Sequence, residues 1–207
     1  MKKLKCMVTG LLVCIGLVTL LSACATTQIN SAWKEPSYKG PPGKIMVIGI
    51  ARKPVNRRIF EDEFVRQLKA RGTDAFASYT VLSDKLENNQ AFIAAKMKEQ
   101  GADTLLISRL ISKKIVKTYV PGTIPNMPGY YGRWPDYYGY GYETIYSPGY
   151  VAEDEYAYVE TNLYGAKDDN LIWSAVSKTL IQGSDQQIIK SFIAVMLDTM
   201  VKQKVLQ

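Results

Sequence analysis

The residue types that could do chemistry are few in this chain, and their placement narrows what that chemistry can be. Among 207 residues there is no histidine, and the three cysteines, Cys6, Cys14 and Cys24, all fall within the first 24 positions. Histidine is the usual general base near neutral pH and the commonest metal ligand, so neither a serine–histidine–acid triad nor a histidine-based zinc site can be assembled. Beyond Cys24 no thiol is left for a nucleophile, a thiolate metal site or a disulfide. Carboxylate chemistry remains. Glu61-Asp62-Glu63 would offer paired acids, but helix neighbours one apart point in different directions, and stabilisation by the dipole near a helix start is the expected use. Asp168-Asp169-Asn170 lacks the longer spacing of a calcium loop and reads as a hairpin turn. Arg52, Lys53, Arg57 and Arg58 could meet an anionic ligand at the carboxyl edge of a sheet; a solvated loop paired with Glu61 or Asp62 is the expectation. Gly139 and Gly141 belong to a tyrosine-rich stretch, not to a strand-to-helix turn, so no phosphate cradle is predicted. The expectation is a non-enzymatic chain with no catalytic residue, no metal and no diffusible cofactor.

Cys24 is the exception, because its setting prescribes a covalent fate. Lys2, Lys3 and Lys5 precede an apolar run from Val8 to Leu21, and Leu21-Ser22-Ala23 brings small residues up to Cys24. Positive residues, an apolar core and a small-residue cleavage site in that order make a signal peptide over residues 1–23. The core is short for a span, which takes roughly 20 apolar residues. The leucine–small–small–cysteine order resembles the lipobox, which implies a diacylglycerol thioether on Cys24, loss of residues 1–23, and an N-acyl chain, such as palmitate, on the new amino terminus. Each buried methylene contributes about 0.8 kcal/mol, so several chains anchor firmly. Ala25 stands where an inner-membrane retention signal would place aspartate, which by resemblance to that sorting rule implies the outer membrane, facing the periplasm. Taking Lys2, Lys3 and Lys5 from the 26 basic residues leaves 23 against 19 acidic ones, a charge of +4. That excess is too mild for a nucleic-acid partner.

The elements that must position any site follow from periodicity. Residues 24–43 are expected as a lipidated tether, polar at first and then broken by Pro36, Gly40, Pro41, Pro42 and Gly43. Residues 44–207 are read as one domain. Ile45 to Ile50 is a nearly continuous apolar run, as in a strand covered on both faces. Phe60, Phe64, Val65 and Leu68 have helical spacing and stop at Gly72. A short strand follows over 75–81, then a helix over 88–100 ended by Gly101, then a strand from Thr104 that continues through Ile111, Ile115 and Val116. Alternation from Tyr156 to Tyr164, a turn over 165–170 and the run from Leu171 to Val176 predict an antiparallel hairpin. Ser184 and Gln187 form a capping-box pattern ahead of a last helix. The prediction is an α/β domain of the α+β sheet–helix sandwich kind. It has a mixed sheet of about five strands, two crossover helices, a carboxy-terminal hairpin and a final packing helix.

Residues 121–150 interrupt this plan. They hold eight of the chain's 14 tyrosines with six glycines and five prolines, a mixture that opposes regular structure while offering flat rings that stack and hydrogen-bond. Tyr130, Tyr131, Trp134, Tyr137, Tyr138, Tyr140 and Tyr142 are candidate contacts for a protein or glycan partner; a hairpin extension without a specific partner is the competing reading. Single-stranded nucleic acid would need a basic groove, and Arg133 is balanced by Asp136 and Glu143.

The segment around Trp33, the strand from Lys44 to Ile50, the arginine–acid stretch Arg58 to Asp62, Gly101-Ala102-Asp103, and Leu171-Ile172-Trp173-Ser174 together resemble a family of uncharacterised bacterial outer-membrane lipoproteins. In pattern the chain is also similar to the α/β domain of the Tol-system translocation protein and to envelope lipoproteins that assist curli secretion or activate peptidoglycan synthases. The resemblance implies binding and assembly, through an envelope protein or self-association, rather than catalysis, and it carries no site residue with it. A peptidoglycan-binding module working through the aromatic insertion is the alternative, and a hydrolase comes after it.

Overall fold

The structure, a computed structural model, describes residues 27–83, 89–122, 133, 135, 138–139 and 149–207. Its elements in chain order are β1 (Thr27–Lys34), β2 (Lys44–Ile50), α1 (Pro54–Ala70), β3 (Asp74–Ala77), a 3-10 turn (Ser78–Thr80), α2 (Gln90–Glu99), β4 (Thr104–Val120), β5 (Tyr150–Gly165), β6 (Leu171–Leu180) and α3 (Asp185–Lys202). The six strands form one mixed sheet in the order β1-β6-β5-β4-β2-β3. β2 pairs parallel with β3 and β4, while β4–β5, β5–β6 and β6–β1 are antiparallel. The sheet–helix sandwich, the two crossover helices, the hairpin and the packing helix are all present.

β2 lies between two strands with helices above and below, which is why its sequence is apolar throughout. Ile45 and Val47 join one core cluster with Phe64 and Leu68 of α1, Leu106, Leu163, Trp173, and Phe192, Ile193, Met196, Leu197 and Met200 of α3. Met46 and Ile48 join a second cluster with Leu82, Met97 of α2 and Ala102. The chain steps from β2 outward to β3 through α1 and then back past β2 to β4 through α2. Right-handed crossovers taken in opposite directions put their helices on opposite faces, and the two clusters follow that division.

Three expectations are corrected. The stretch expected as an irregular tether contains β1, whose backbone pairs with β6 from Thr27↔Thr179 to Lys34↔Trp173 with a register shift between Ile29 and Ser31. Its polar residues reflect an edge strand with one face in water, and it supplies the sixth strand. Helix α1 begins at Pro54, whose fixed φ suits the first helical position, so Arg57 and Arg58 are helical and not in a loop, and Glu61 to Glu63 lie beyond the first turn, which contains no acid. The strand expected over 75–81 ends at Ala77, and Ser78 and Tyr79 turn back toward Glu61.

Helix ends are fixed by local chemistry. After α1, Gly72 takes φ 82° while its N–H reaches Lys69 O and that of Thr73 reaches Leu68 O; after α2, Gly101 takes φ 68° with the same pair of bonds to Lys98 and Met97. These are Schellman stops. Ser184 and Gln187 form the expected capping box on α3.

Candidate binding surface

Among the described residues the cluster beneath α2 takes in no residue of β1, β5 or β6, so that helix leaves the second face of the antiparallel half open; its β5 and β6 side chains are half-buried, and Trp33, Arg109 and Lys114 are exposed. Strand register defines what this face presents. One row is Ile107, Asn162, Ser174 and Trp33; the next is Arg109, Glu160 and Val176; then Ser112, Tyr158 and Lys178; then Lys114, Tyr156 and Leu180. Lys178 Nζ sits 3.9 Å from the centre of the Tyr156 ring and Lys114 Nζ 5.3 Å from that of Tyr158, so each ammonium lies over an aromatic face. Arg109 and Glu160 form a 2.7 Å ion pair beside them. Trp33 is exposed at the margin. Tyrosine, tryptophan and arginine are the residues enriched where proteins meet, and here they lie on a backbone held by ladder hydrogen bonds.

From the same sheet β4 and β5 run on as a two-stranded arm. β6 pairs with β5 only from Tyr156 to Tyr164, and β2 pairs with β4 only from Thr104 to Arg109. Beyond these limits the two strands pair with each other from Ile115↔Glu155 through Val120↔Tyr150, and among the described residues Ile181 N still donates to Glu155 O (2.8 Å) and Gln182 Nε2 to Asp154 Oδ1 (3.3 Å) at the base of the arm. Lys113–Glu155 (3.2 Å) and Lys117–Glu153 (2.6 Å) cross the ladder. The aromatic insertion joins the arm's two strands. Tyr138 is exposed; Tyr130, Tyr131, Trp134, Tyr137, Tyr140 and Tyr142 lie outside the described residues, as does Cys24.

The chemistry-bearing clusters read from the sequence have structural uses. Glu61 and Arg57 are both buried and meet at 2.9 Å. Glu61 Oε1 also accepts from Gly49 N and Ser78 Oγ, and its Oε2 accepts from Tyr79 N; Arg57 donates further to Ser78 Oγ and to Ser83 O. Gly49 is required here because a Cβ would stand 2.9 Å from the Phe60 ring. The pairing expected between the basic cluster and Glu61 is present, but in the interior and not in a solvated loop. Asp168 accepts from the backbone and side chain of Asn170, and Asp169 takes φ 55°, so the acidic run makes the hairpin turn.

At the end opposite the arm, a depression of about 900 Å³ is lined by Tyr38, Asp103, Lys167 and Asp168 among others. Asp103 spends both oxygens on Gly43 N (2.7 Å) and Lys44 N (3.1 Å), fixing the start of β2. Burial, with the Asp103 charge behind it, raises the Tyr38 phenol above its ordinary value. Among the described residues no cluster of three or more potential ligands could hold a metal ion, and no helix is long and apolar enough to cross a membrane.

No family model and no curated protein matches the chain, which leaves the likeness to lipoprotein families and to the Tol-type domain resting on the segments quoted above. Among solved structures the chain is similar to the PelC dodecamer from Paraburkholderia phytofirmans. Identity is 12%, coverage 87% of this chain and 98% of that one, and the TM-score 0.48. It is also similar to the lipoprotein GNA1162 from Neisseria meningitidis, with 11% identity, 78% and 99% coverage and a TM-score of 0.43. None of these likenesses lends this chain a residue role, a ligand or an assembly state.

Proposed function

We propose that this chain is a lipid-anchored, non-enzymatic domain of the bacterial cell envelope that binds an envelope protein or assembles with copies of itself. The basic–apolar–small–cysteine order at the amino terminus supports an anchor at Cys24 in the outer membrane, with the domain in the periplasm. The observation that carries the binding role is the open sheet face with Trp33, Tyr156, Tyr158, Lys114, Lys178 and the Arg109–Glu160 pair. A rigid sheet bearing rings and stacked cations suits a partner of mixed polar and aromatic surface. The tyrosine-rich insertion would add contacts to the same partner.

Photo-reactive residues placed at Trp33 and Tyr158, with Lys190 on the outer side of α3 as the comparison, test this in cells. Adducts from the two sheet positions and not from Lys190 are expected, running either as a dimer or as a heteromer with an envelope protein, and Lys178→Glu is expected to lower their yield. Adducts of equal yield from all three positions would remove the open face from consideration. Pelleting with purified peptidoglycan that is lost on deleting residues 121–150 would replace the protein partner with the glycan.

A further inference from the structure

We propose that the outer end of the β4–β5 arm is a second membrane contact, seated in the interfacial layer of the bilayer that holds the chain's own lipid; this rests on the anchor at Cys24 proposed above. The argument begins with register. Thr27 opens β1 level with Thr179, and Thr179 lies level with Ala157 and Lys113. The chain therefore enters the sheet at the end from which the arm leaves, and β1 runs away from it toward Lys34. Cys24 precedes Thr27 by three residues, which span at most about 10 Å when fully extended. From Lys113 the arm continues seven residues to Val120, about 23 Å at roughly 3.3 Å per residue. The arm outreaches the tether. With the strands directed at the bilayer the arm's tip enters it, and with the domain tilted the arm lies along it.

The composition of the arm matches that placement. Its last three facing pairs, Thr118↔Ala152, Tyr119↔Val151 and Val120↔Tyr150, carry no charge. Tyr119, Tyr150 and Val151 are 66%, 62% and 56% exposed, and Ile115 behind them is 62% exposed. Gly149 leaves room for the Tyr119 ring, which a Cβ at that position would strike. Immediately inward come Lys113, Lys114 and Lys117 on β4 against Glu153, Asp154 and Glu155 on β5, equal numbers of each sign. Tyrosine rings favour the membrane–water interface, lysine stems lie along apolar surface with the ammonium in water, and mixed charges of both signs match zwitterionic headgroups. The two anchors together would fix the tilt of the domain and turn the open sheet face toward its partner.

The test uses the mature lipoprotein isolated from membranes and reconstituted into vesicles of phosphatidylethanolamine and phosphatidylglycerol. With Cys24 acylated and Cys6 and Cys14 removed, the wild type should show no free thiol, so Val151→Cys and, at the opposite end of the sheet, Lys39→Cys each add one labelling site. An environment-sensitive dye at 151 is expected to shift to the blue and to lose intensity when the vesicles contain a lipid with a quencher near its headgroup, and a dye at 39 to do neither. A dye at 151 that stays in water, on a wild type that shows no free thiol and sediments with the vesicles, overturns the arm contact while leaving the anchor standing. Shielding at 151 that the lipid quencher does not affect overturns it in favour of a protein covering the arm. A free thiol on the wild type means that the anchor itself is wrong, and the arm contact falls with it.

Discussion

Arg57 and Glu61 show how a cluster that could have been chemical is used to hold a fold. Every hydrogen bond that Glu61 accepts comes from the fold's own frame: Gly49 at the end of β2, Ser78 and Tyr79 where β3 turns, and Arg57 one helical turn back. Removing one member of a buried ion pair leaves the other uncompensated and typically costs about 3–5 kcal/mol. Arg57→Met and Glu61→Gln are each expected to lower the unfolding free energy by about that amount in urea titrations. A loss below about 1 kcal/mol would place the pair in solvent. The spacing of four residues made the pairing readable from the sequence; its burial was not readable, because it depends on a strand that ends at Ala77, four residues before the end expected from the sequence. Glu63, two residues on, faces outward. Hydrogen bonds from Arg66 (2.6 and 2.7 Å), with a further one from Gln67, hold its carboxyl below the ordinary glutamate value. A carboxylate whose pKa is lower in the folded state than in the unfolded chain adds stability above the unfolded value, and that stability is lost as pH falls through the folded one. Glu63→Gln should therefore lower Tm slightly at neutral pH, the pair being partly exposed, and the gap from wild type should close as pH falls below about 4.

At the scale of elements, the ends of the helices reveal which signals are local. Gly72 and Gly101 were legible as stops because the left-handed turn they make is a property of glycine itself. The capping box at Ser184 was legible for the same reason, since both partners lie within four residues. The end of α3 uses the same motif without the same letter: Lys204 takes φ 57°, its N–H bonds Val201 O, and Val205 N bonds Met200 O. Lysine is tolerated there because Val205 and Leu206 are drawn into the main core cluster just after it. Left-handed backbone costs a residue with a Cβ about 1–2 kcal/mol, whereas glycine adopts it without strain. Lys204→Gly is expected to raise the unfolding free energy by about 1 kcal/mol, the unfolded-chain entropy of glycine taking back part of the gain. A loss would mean that the lysine side chain matters more than its backbone angle. β1 was the element the sequence hid. Its core-facing apolar side chains, Ile29 and Ala32, fall on opposite sides of a register shift, so the strict alternation that marks a strand is broken.

The whole molecule divides into a body that is stable through its core and an arm that is not part of it. Neither cluster of buried apolar residues contains any residue between Leu106 and Leu163, and the nearest arm-side residue packed against the main cluster is Val159. A two-stranded hairpin is marginal by itself in water, and this one keeps exposed apolar side chains and, among the described residues, edges that pair with no further strand beyond Glu155. Proteins ordinarily blunt such edges or cover them, which is the feature the proposed membrane contact of the arm accounts for. The seven aromatic residues singled out from composition lie in the connection between its strands, so the sequence marks where the arm's strands are joined. It could not show the arm's reach, because alternation continues without a mark where β6 stops pairing, nor the level at which Thr27 enters the sheet, which is set by cross-strand register. Replacing residues 115–155 by an Asn-Gly turn between Lys114 and Tyr156 separates the two parts. A turn of that type closes facing strands at low cost, and the excised pairs contribute nothing to either core cluster. The shortened protein is expected to unfold in one transition within about 0.5 kcal/mol of the parent, the range of a surface change, while an arm-dependent association with membranes or partners disappears. A shortened chain that fails to fold would mean instead that the arm stabilises the sheet from which it projects.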